Sequence, residues 1–342
     1  MTKQLSNFKS CTRQERKDIL KSIGQPAFRE KQIFEWICKA VLSFDEMTNL
    51  PKDLRNSLSE SYSFESAAVE LVQVSKDGTR KYLLKMTDGN YVEAVFMKYE
   101  YGNTLCISTQ IGCNMGCVFC ASGIGGKIRN LEGWEMLDEY LICRKDAGED
   151  INHIVLMGMG EPFDNYENVA EFLRLIHDPE GVGLSYRNIT VSTSGLIKGI
   201  KRFSEDFPQV NLAISLHAAD QDERQQLMPV AKSNRLEDLI AACREVSEKT
   251  GRRITFEYAL IAGKNDRDED VKKLSSLLNG MLCHVNLIPL NPVVENGMKG
   301  SGRDAAKLFA GKLENAGIAA TVRRSLGQDI DAACGQLRKK HT

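Results

Sequence analysis

The alternation of strand and helix patterns between Thr104 and Leu290 constrains the fold of this chain more than any other feature. Six short apolar segments rich in β-branched residues are separated by segments with helical periodicity. These strand segments are 104–110, 153–159, 188–193, 210–216, 253–261 and 284–290. The pattern predicts an α/β fold whose parallel strands, joined by right-handed crossovers, form a partial (βα)6 barrel. A doubly wound open sheet is the alternative, and in either fold the site lies beyond the carboxyl ends of the strands.

The segments on either side of this region differ from it in pattern. Residues 1–65 have helical periodicity and predict a small N-terminal helical domain. Residues 66–103 contain three β-type runs separated by the dipeptides Asp77-Gly78 and Asp88-Gly89, which predicts a β-hairpin extension. We therefore divide the chain into 1–65, 66–103, a barrel core at 104–291, and a C-terminal strand, helix and tail at 292–342.

The composition excludes several classes of protein. With 42% hydrophobic and 27% charged residues in 342, the chain has the composition of a globular protein. It has no apolar run long enough to span a membrane and no apolar segment of a signal peptide near its start, so we expect a cytoplasmic protein that does not bind membranes. Ten irregularly spaced cysteines in such a protein are expected to be free, metal-bound or catalytic. The net charge of −1 gives no support for nucleic-acid binding.

Three cysteines, Cys113, Cys117 and Cys120, follow the first barrel strand directly. Structural zinc needs four ligands in a closed tetrahedron, and no fourth ligand is near in sequence. A [4Fe–4S] cluster usually takes four cysteines, so three would leave one iron open. The amino and carboxylate groups of S-adenosylmethionine can chelate such an iron. The C-x3-C-x2-C spacing after a strand resembles the radical S-adenosylmethionine (SAM) superfamily, although zinc and incidental cysteines remain alternatives.

Several polar residues lie where the later strands end. They are Gly160, Glu161, Ser192, Ser215, Leu216, His217 and Asn291. In the superfamily that the cysteines resemble, a Gly-Glu-Pro turn after the second strand meets the amino group of SAM, and a carboxylate suits an ammonium. Each of these residues alone is more often structural, so their shared position at the strand ends carries the prediction.

The chain resembles one family over nearly its whole length. The stretches TLCISTQIGC, CVFCAS, MGMGEPFDN, VSTSG, AISLHA, HVNLIPLNP and DIDAACGQL are similar to those of the bacterial dual-specificity adenine-C2 RNA methyltransferases. The resemblance implies a [4Fe–4S] cluster, SAM, and two substrates: 23S ribosomal RNA at the peptidyl-transferase centre, and transfer RNA 3′ of the anticodon. It also implies an RNA-binding N-terminal domain, a one-electron donor such as flavodoxin or ferredoxin, and a monomer. The chloramphenicol–florfenicol resistance enzymes, which methylate C8 of the same ribosomal adenosine, are the alternative.

The same resemblance implies a role for each matching residue. Cys334 would be methylated first and would then carry the methyl group to RNA. Cys106 would release the product, leaving a disulfide, and Glu93 would be the general base. A strand cysteine such as Cys106 is otherwise usually buried packing. An electron-carrying cluster protein and a zinc-stabilised RNA-binding protein are the competing interpretations of the whole chain.

Overall fold

The computed structural model describes residues 5–291, 297–330 and 332. Three helices form the N-terminal segment: α1 (Arg13–Ser22), α2 (Phe28–Ile37) and α3 (Lys52–Ser61). The buried ion pair between Lys9 and Asp138, 2.8 Å from Nζ to Oδ1, fastens this segment to the barrel. Removing one partner of such a pair leaves the other charge buried, so the contact fixes how the two parts dock.

A β-meander precedes the barrel. Its strands are β1 (Ala68–Val74), β2 (Arg80–Lys85) and β3 (Tyr91–Tyr99), which pair antiparallel in that order. The expected Asp-Gly turns join them, and Gly78 and Gly89 have φ values of +85° and +84°. Because glycine has no Cβ, it adopts these conformations without strain. Strand β3 pairs antiparallel with the first barrel strand, so the meander extends the barrel sheet.

The barrel consists of parallel strands that alternate with helices along the chain. The strands are β4 (Gly102–Cys106), β7 (His153–Leu156), β8 (Ile189–Thr193), β9 (Asn211–Ser215), β10 (Ile254–Leu260), β11 (Cys283–Pro289) and β12 (Ala320–Val322). A separate two-stranded ribbon pairs β5 (Gln110–Ile111) with β6 (Arg129–Asn130). The helices are α4 (Gly133–Ala147), α5 (Tyr166–His177), α6 (Ile197–Asp206), α7 (Gln221–Leu227), α8 (Leu236–Thr250), α9 (Asp268–Leu278) and α10 (Arg303–Asn315).

The order of the strands decides between the two folds considered from the sequence. In the ten-stranded sheet the order is β1-β2-β3-β4-β7-β8-β9-β10-β11-β12. The strands therefore follow one another in chain order, whereas a doubly wound sheet reverses its order at a switch point. Within the described residues β12 does not pair back to the first strands, so the sheet is an open, partial barrel.

Two barrel strands end well before the expected boundary, and the other four differ from the expectation by one residue at one or both ends. The first barrel strand was expected at 104–110, but β4 ends at Cys106. The carbonyl of Ile107 accepts a hydrogen bond from Gly158, and a Cβ on Gly158 would lie 2.6 Å from that oxygen. The backbones after β4 and β7 approach too closely at this point to continue a regular ladder. For the same reason β7 ends at Leu156 rather than at residue 159.

Among the described residues, no helix combines the length and apolar character needed to cross a membrane.

Candidate active site

The carboxyl ends of the parallel strands surround a cavity of about 140 Å³. Nine of the residues singled out at the strand ends and on the cysteine loop line it: Cys113, Cys117, Cys120, Gly160, Glu161, Ser192, Ser215, His217 and Asn291. Leu216 does not, because its fully buried side chain packs in the main hydrophobic core. The structure therefore gathers residues from four strand ends and one loop around a single space, as parallel strands dictate.

The loop that carries the three cysteines is held tightly. Gly112 has φ +77°, and a Cβ there would lie 2.0 Å from the carbonyl oxygen of Gly126, so only glycine fits before Cys113. The N–H of Val118 donates to the carbonyl of Leu227 at 3.0 Å, which ties the loop to the end of α7. Cys117 and Cys120 also pack against a small apolar cluster that includes Leu227.

The donor set of this loop fits an iron–sulfur cluster. Burial raises the pKa of Cys113 to about 12 and raises the pKa of Cys117 as well, and the neighbouring cysteines add to both shifts. The N–H of Met115 donates to the Sγ of Cys113 at 3.5 Å, a bond that a metal-bound thiolate can accept. The described residues contain no group of three His, Cys, Asp or Glu side chains gathered as a single ion requires. Structural zinc takes four ligands and this loop offers three thiols, so the set fits a cluster with one open iron better than structural zinc.

Glu161 forms a fixed acidic wall of the cavity. Its Oε1 accepts a hydrogen bond from the N–H of Phe163 at 3.1 Å, and its Oε2 accepts one from Ser194 at 2.7 Å. Burial raises the pKa of the carboxyl, and these hydrogen bonds act in the opposite direction. Among the ion pairs of the described residues, none involves Glu161. A buried carboxylate of this kind is suited to a cationic group of a ligand, such as an ammonium.

His217 presents a neutral ring to the same cavity. Its Nδ1 accepts a hydrogen bond from the N–H of Ala259 at 2.9 Å, which places the ring hydrogen of the neutral form on Nε2. Burial and the nearby guanidinium of Arg224 lower the pKa of His217 to about 3, so the ring is uncharged at neutral pH. The residue has φ +58°, which is uncommon for a residue other than glycine.

Cys106 lies in a second, smaller cavity beside the first. In the pairing of β3 with β4 it stands opposite Val95, so its side chain shares a face with Val95 and Glu93. It lines this cavity together with Tyr99 and Ala332. Four residues line both cavities: Met157, Ile288, Asn291 and Arg323. The two spaces therefore adjoin across a shared wall.

Glu93 and Cys334 complete the set of predicted catalytic residues. Glu93 is buried in β3 and does not line either cavity; its Oε1 lies 2.8 Å from the Nζ of Lys81. Cys334 lies outside the described residues, although Ala332, two positions earlier, packs in the same apolar cluster as Cys106. No disulfide joins two of the nine cysteines that the structure describes.

The structure also places in the site residues that the sequence analysis did not assign to it. Glu257 in β10 lines the first cavity, and its Oε2 lies 3.0 Å from the Nδ2 of Asn286 and 3.9 Å from the Nη1 of Arg323. Burial raises the pKa of Glu257. A charged residue within the apolar run ITFEYAL was the available signal. Arg224 in α7 does not line the cavity but bonds to the carbonyls of Ser194 and Ser215, which do, and its helical pattern gave no signal.

Two family models match separate parts of the chain. Residues 107–275 match the model of the radical SAM superfamily, and residues 6–63 match that of the ribosomal RNA large subunit methyltransferase N-terminal domain. The chain is 52% identical to a protein of Alkaliphilus oremlandii over 97% of each chain, and 45% identical to one of Clostridioides difficile over 100% of each. Both are named "Probable dual-specificity RNA methyltransferase RlmN". A crystal structure of a radical SAM methyltransferase from Sphaerobacter thermophilus is similar, with a TM-score of 0.93 and 42% identity over 98% of this chain and 100% of that one.

Proposed function

This chain belongs to the family of dual-specificity radical SAM RNA methyltransferases, and on that basis we propose that it methylates carbon 2 of adenosine in 23S ribosomal RNA and in transfer RNA 3′ of the anticodon. The observation that carries this proposal is the adjoining pair of cavities. One is lined by the three-cysteine loop and the polar strand ends, and the other contains Cys106. The alternative, methylation of C8, is not favoured, because these relatives carry the name of the dual-specificity enzymes.

The first cavity is the proposed place of the cofactors. The family uses a [4Fe–4S] cluster and SAM, and Cys113, Cys117 and Cys120 would hold the cluster. Together the two cofactors supply a carbon radical that can remove an unactivated hydrogen atom. Glu161 would bind the amino group of SAM, since its carboxylate lies on the cavity wall and is already oriented by two backbone N–H groups. The neutral His217 would donate from Nε2 to an acceptor of the ligand.

The second cavity is the proposed place of the transfer. We propose that Cys334 carries the methyl group and that Cys106 acts after the carbon–carbon bond to adenine has formed. A thiolate at Cys106 would attack the Cys334 sulfur, so that a sulfur–sulfur bond forms as the sulfur–carbon bond breaks and the methyl carbon takes up a proton. The packing of Ala332 beside Cys106 supports this pairing, because the chain needs to cover only two more residues to reach Cys334.

Glu93 is proposed as the base that removes the C2 proton. It shares a face of the sheet with Cys106, and the Lys81 ammonium fixes the position of its carboxylate. Because neither cavity is lined by Glu93, its reach to the adenine ring depends on how the bound base and the C-terminal tail are seated. The shared face with Cys106 is the support for this assignment.

The remaining partners follow from the chemistry. The target adenine has to leave its stack to enter either cavity, so we expect unpaired or flipped bases as substrates. Reduction of the cluster calls for a one-electron donor of the flavodoxin or ferredoxin type. We further propose a monomer in the cytoplasm.

Mass spectrometry of modified nucleosides tests the function directly. Ribosomal and transfer RNA from cells that lack the gene should contain no 2-methyladenosine at these sites, and the wild-type gene should restore it in both. A Cys334→Ala gene serves as the matched control and should restore nothing. Appearance of 8-methyladenosine, or restoration by the Cys334→Ala gene, would contradict the proposal.

A further inference from the structure

Arg224 occupies an unusual position beneath the proposed cofactor cavity. It lies in α7 and is fully buried, among the largest side chains of the core. Its Nε donates to the carbonyl of Leu216 at 3.1 Å, and its Nη2 donates to the carbonyls of Ser194 at 2.7 Å and Ser215 at 3.2 Å. A single guanidinium therefore joins the ends of β8 and β9, from which several cavity residues project.

The charge of this side chain is not neutralised by a protein carboxylate. Among the described residues Arg224 takes part in no ion pair, and its buried Nη1 has no hydrogen-bond partner there. Burying a cation without an anion is costly, and buried charges in proteins are usually paired with an opposite charge. Burial lowers the pKa of Arg224 to about 10, so the guanidinium still carries its charge at neutral pH.

The cysteine loop is attached to the helix that carries Arg224. One turn after Arg224, the carbonyl of Leu227 accepts the hydrogen bond from Val118 that fastens this loop. The guanidinium itself bonds to the carbonyls of Ser194 and Ser215, and both serines line the cavity that the three cysteines also line, so the positive charge adjoins the proposed cluster site. Glu161 and Glu257 line the same cavity, and a negative charge on either would oppose the effect of the guanidinium on a group bound there.

We propose that Arg224 is a positioning residue whose buried positive charge raises the reduction potential of the cluster held by Cys113, Cys117 and Cys120. A cluster with thiolate ligands gains one negative charge when it accepts an electron. A fixed cation in a low-dielectric interior stabilises this reduced form more than the oxidised form. Arg224 thus makes the first electron transfer from the donor easier while it holds the strand ends that surround the cofactors. The inference rests on the cluster assignment proposed above.

Redox titration of the anaerobically reconstituted full-length protein, monitored by electron paramagnetic resonance without SAM, tests this role. The variant Arg224→Met keeps most of the volume but removes the charge, and Arg224→Lys keeps the charge. At a fixed solution potential we expect the reduced-to-oxidised ratio of the cluster in Arg224→Met to fall at least about tenfold. This fall corresponds to a reduction potential lower by about 59 mV for a one-electron couple. Arg224→Lys should stay within a few-fold of the wild type. An unchanged potential in Arg224→Met with normal iron content would overturn the proposal.

Arg16 provides a matched control. It is another buried arginine with an Nη atom that lacks a hydrogen-bond partner in the described residues, but it lies in α1 and pairs with Glu30. Arg16→Met should therefore leave the potential unchanged, whatever it does to stability. If Arg224→Met does not bind iron, the test rests on Arg224→Lys. A wild-type potential in that variant supports the role of the positive charge. A tenfold fall in its reduced-to-oxidised ratio overturns that role. A wild-type protein without iron would instead refute the cluster assignment itself.

Discussion

The backbone N–H of Ser194 donates a 2.7 Å hydrogen bond to the carboxylate of Glu161, and this bond joins the end of β8 to the turn that follows β7. A second N–H, from Phe163, holds the other oxygen. The carboxylate is therefore oriented by the fold itself before a ligand binds. Preorganisation of this kind lowers the entropic cost of binding and gives Glu161 a role that can be measured.

Replacement of Glu161 by Gln should weaken SAM binding about tenfold or more without loss of the cluster. The amide has nearly the same shape but no charge to pair with an ammonium, and a hydrogen bond to a charged group is worth about 1.5–3 kcal/mol. SAM titration of reconstituted protein measures the effect. Asp164→Asn, three residues further along, is the control, because Asp164 pairs with Lys127 outside the cavity lining and should not affect the affinity. Equal affinities in wild type and Glu161→Gln would remove Glu161 from the site.

Substitution of Gly160 by Ala should destabilise the protein by roughly 1–3 kcal/mol or more and should also weaken SAM binding. Gly160 has φ +108°, and a Cβ there would lie 2.7 Å from both Thr109 Oγ1 and Gln110 Cβ. Gly148→Ala is the control, since Gly148 has φ +65° but open space around it. Denaturant unfolding of the two variants separates backbone strain, which both share, from the clash, which only Gly160→Ala has. Equal losses of stability would show that the clash is relieved by movement.

Each of Cys113→Ala, Cys117→Ala and Cys120→Ala should abolish cluster binding and activity, because the loop offers no spare thiol. Iron and sulfide analysis after anaerobic reconstitution gives the answer. Cys283→Ala, which changes a buried cysteine in β11 away from the cavity, should retain iron and so controls for general loss of stability. Near-normal iron in any one of the three loop variants would refute that cysteine as a ligand.

The sequence predicted the barrel and the approximate positions of its strands because short apolar segments alternate with helical patterns between residues 104 and 290. It also predicted the cavity, because chemistry-bearing residues at parallel strand ends must meet. It could not predict that β4 ends at Cys106, since that depends on the close approach of Gly158 from the turn after β7. Nor could it assign Arg224 or Glu257, whose burial arises only when distant elements pack around them.

Replacement of Glu139 by Gln should stabilise the protein at neutral pH. Glu139 in α4 is fully buried; its Oε2 accepts a bond from Ser108 N–H, and its Oε1 has no hydrogen-bond partner among the described residues. Burial raises its pKa well above the ordinary value of 4.5. The folded protein therefore holds a proton that the unfolded chain releases above about pH 4.5. The stabilisation of the folded state by this bound proton is fully present below about pH 4.5 and is lost as pH rises through the pKa of Glu139 in the folded protein.

The free energy of unfolding of the wild type should therefore decline relative to Glu139→Gln as pH rises between those two pKa values. The slope is at most about 1.4 kcal/mol per pH unit, since a single proton is involved. Denaturant unfolding of both proteins at several pH values between 4 and 8 measures the difference. A constant difference across this range would show that Glu139 titrates alike in the folded and unfolded states.

Replacement of Cys106 by Ala should trap the enzyme covalently joined to RNA, whereas Cys334→Ala should trap nothing. Cys334 supplies the carbon that bonds to adenine, so no bond forms without it. Cys106 acts later as a thiolate on the Cys334 sulfur, so its loss leaves the adduct intact. A denaturing gel of each variant expressed with native RNA should show a slow, ribonuclease-sensitive band for Cys106→Ala alone, and the double variant should lack it. If Cys106 were only strand packing, Cys106→Ala would lower stability by a cavity cost and leave no band. A band in both single variants, or in neither, would contradict the roles assigned to the two cysteines.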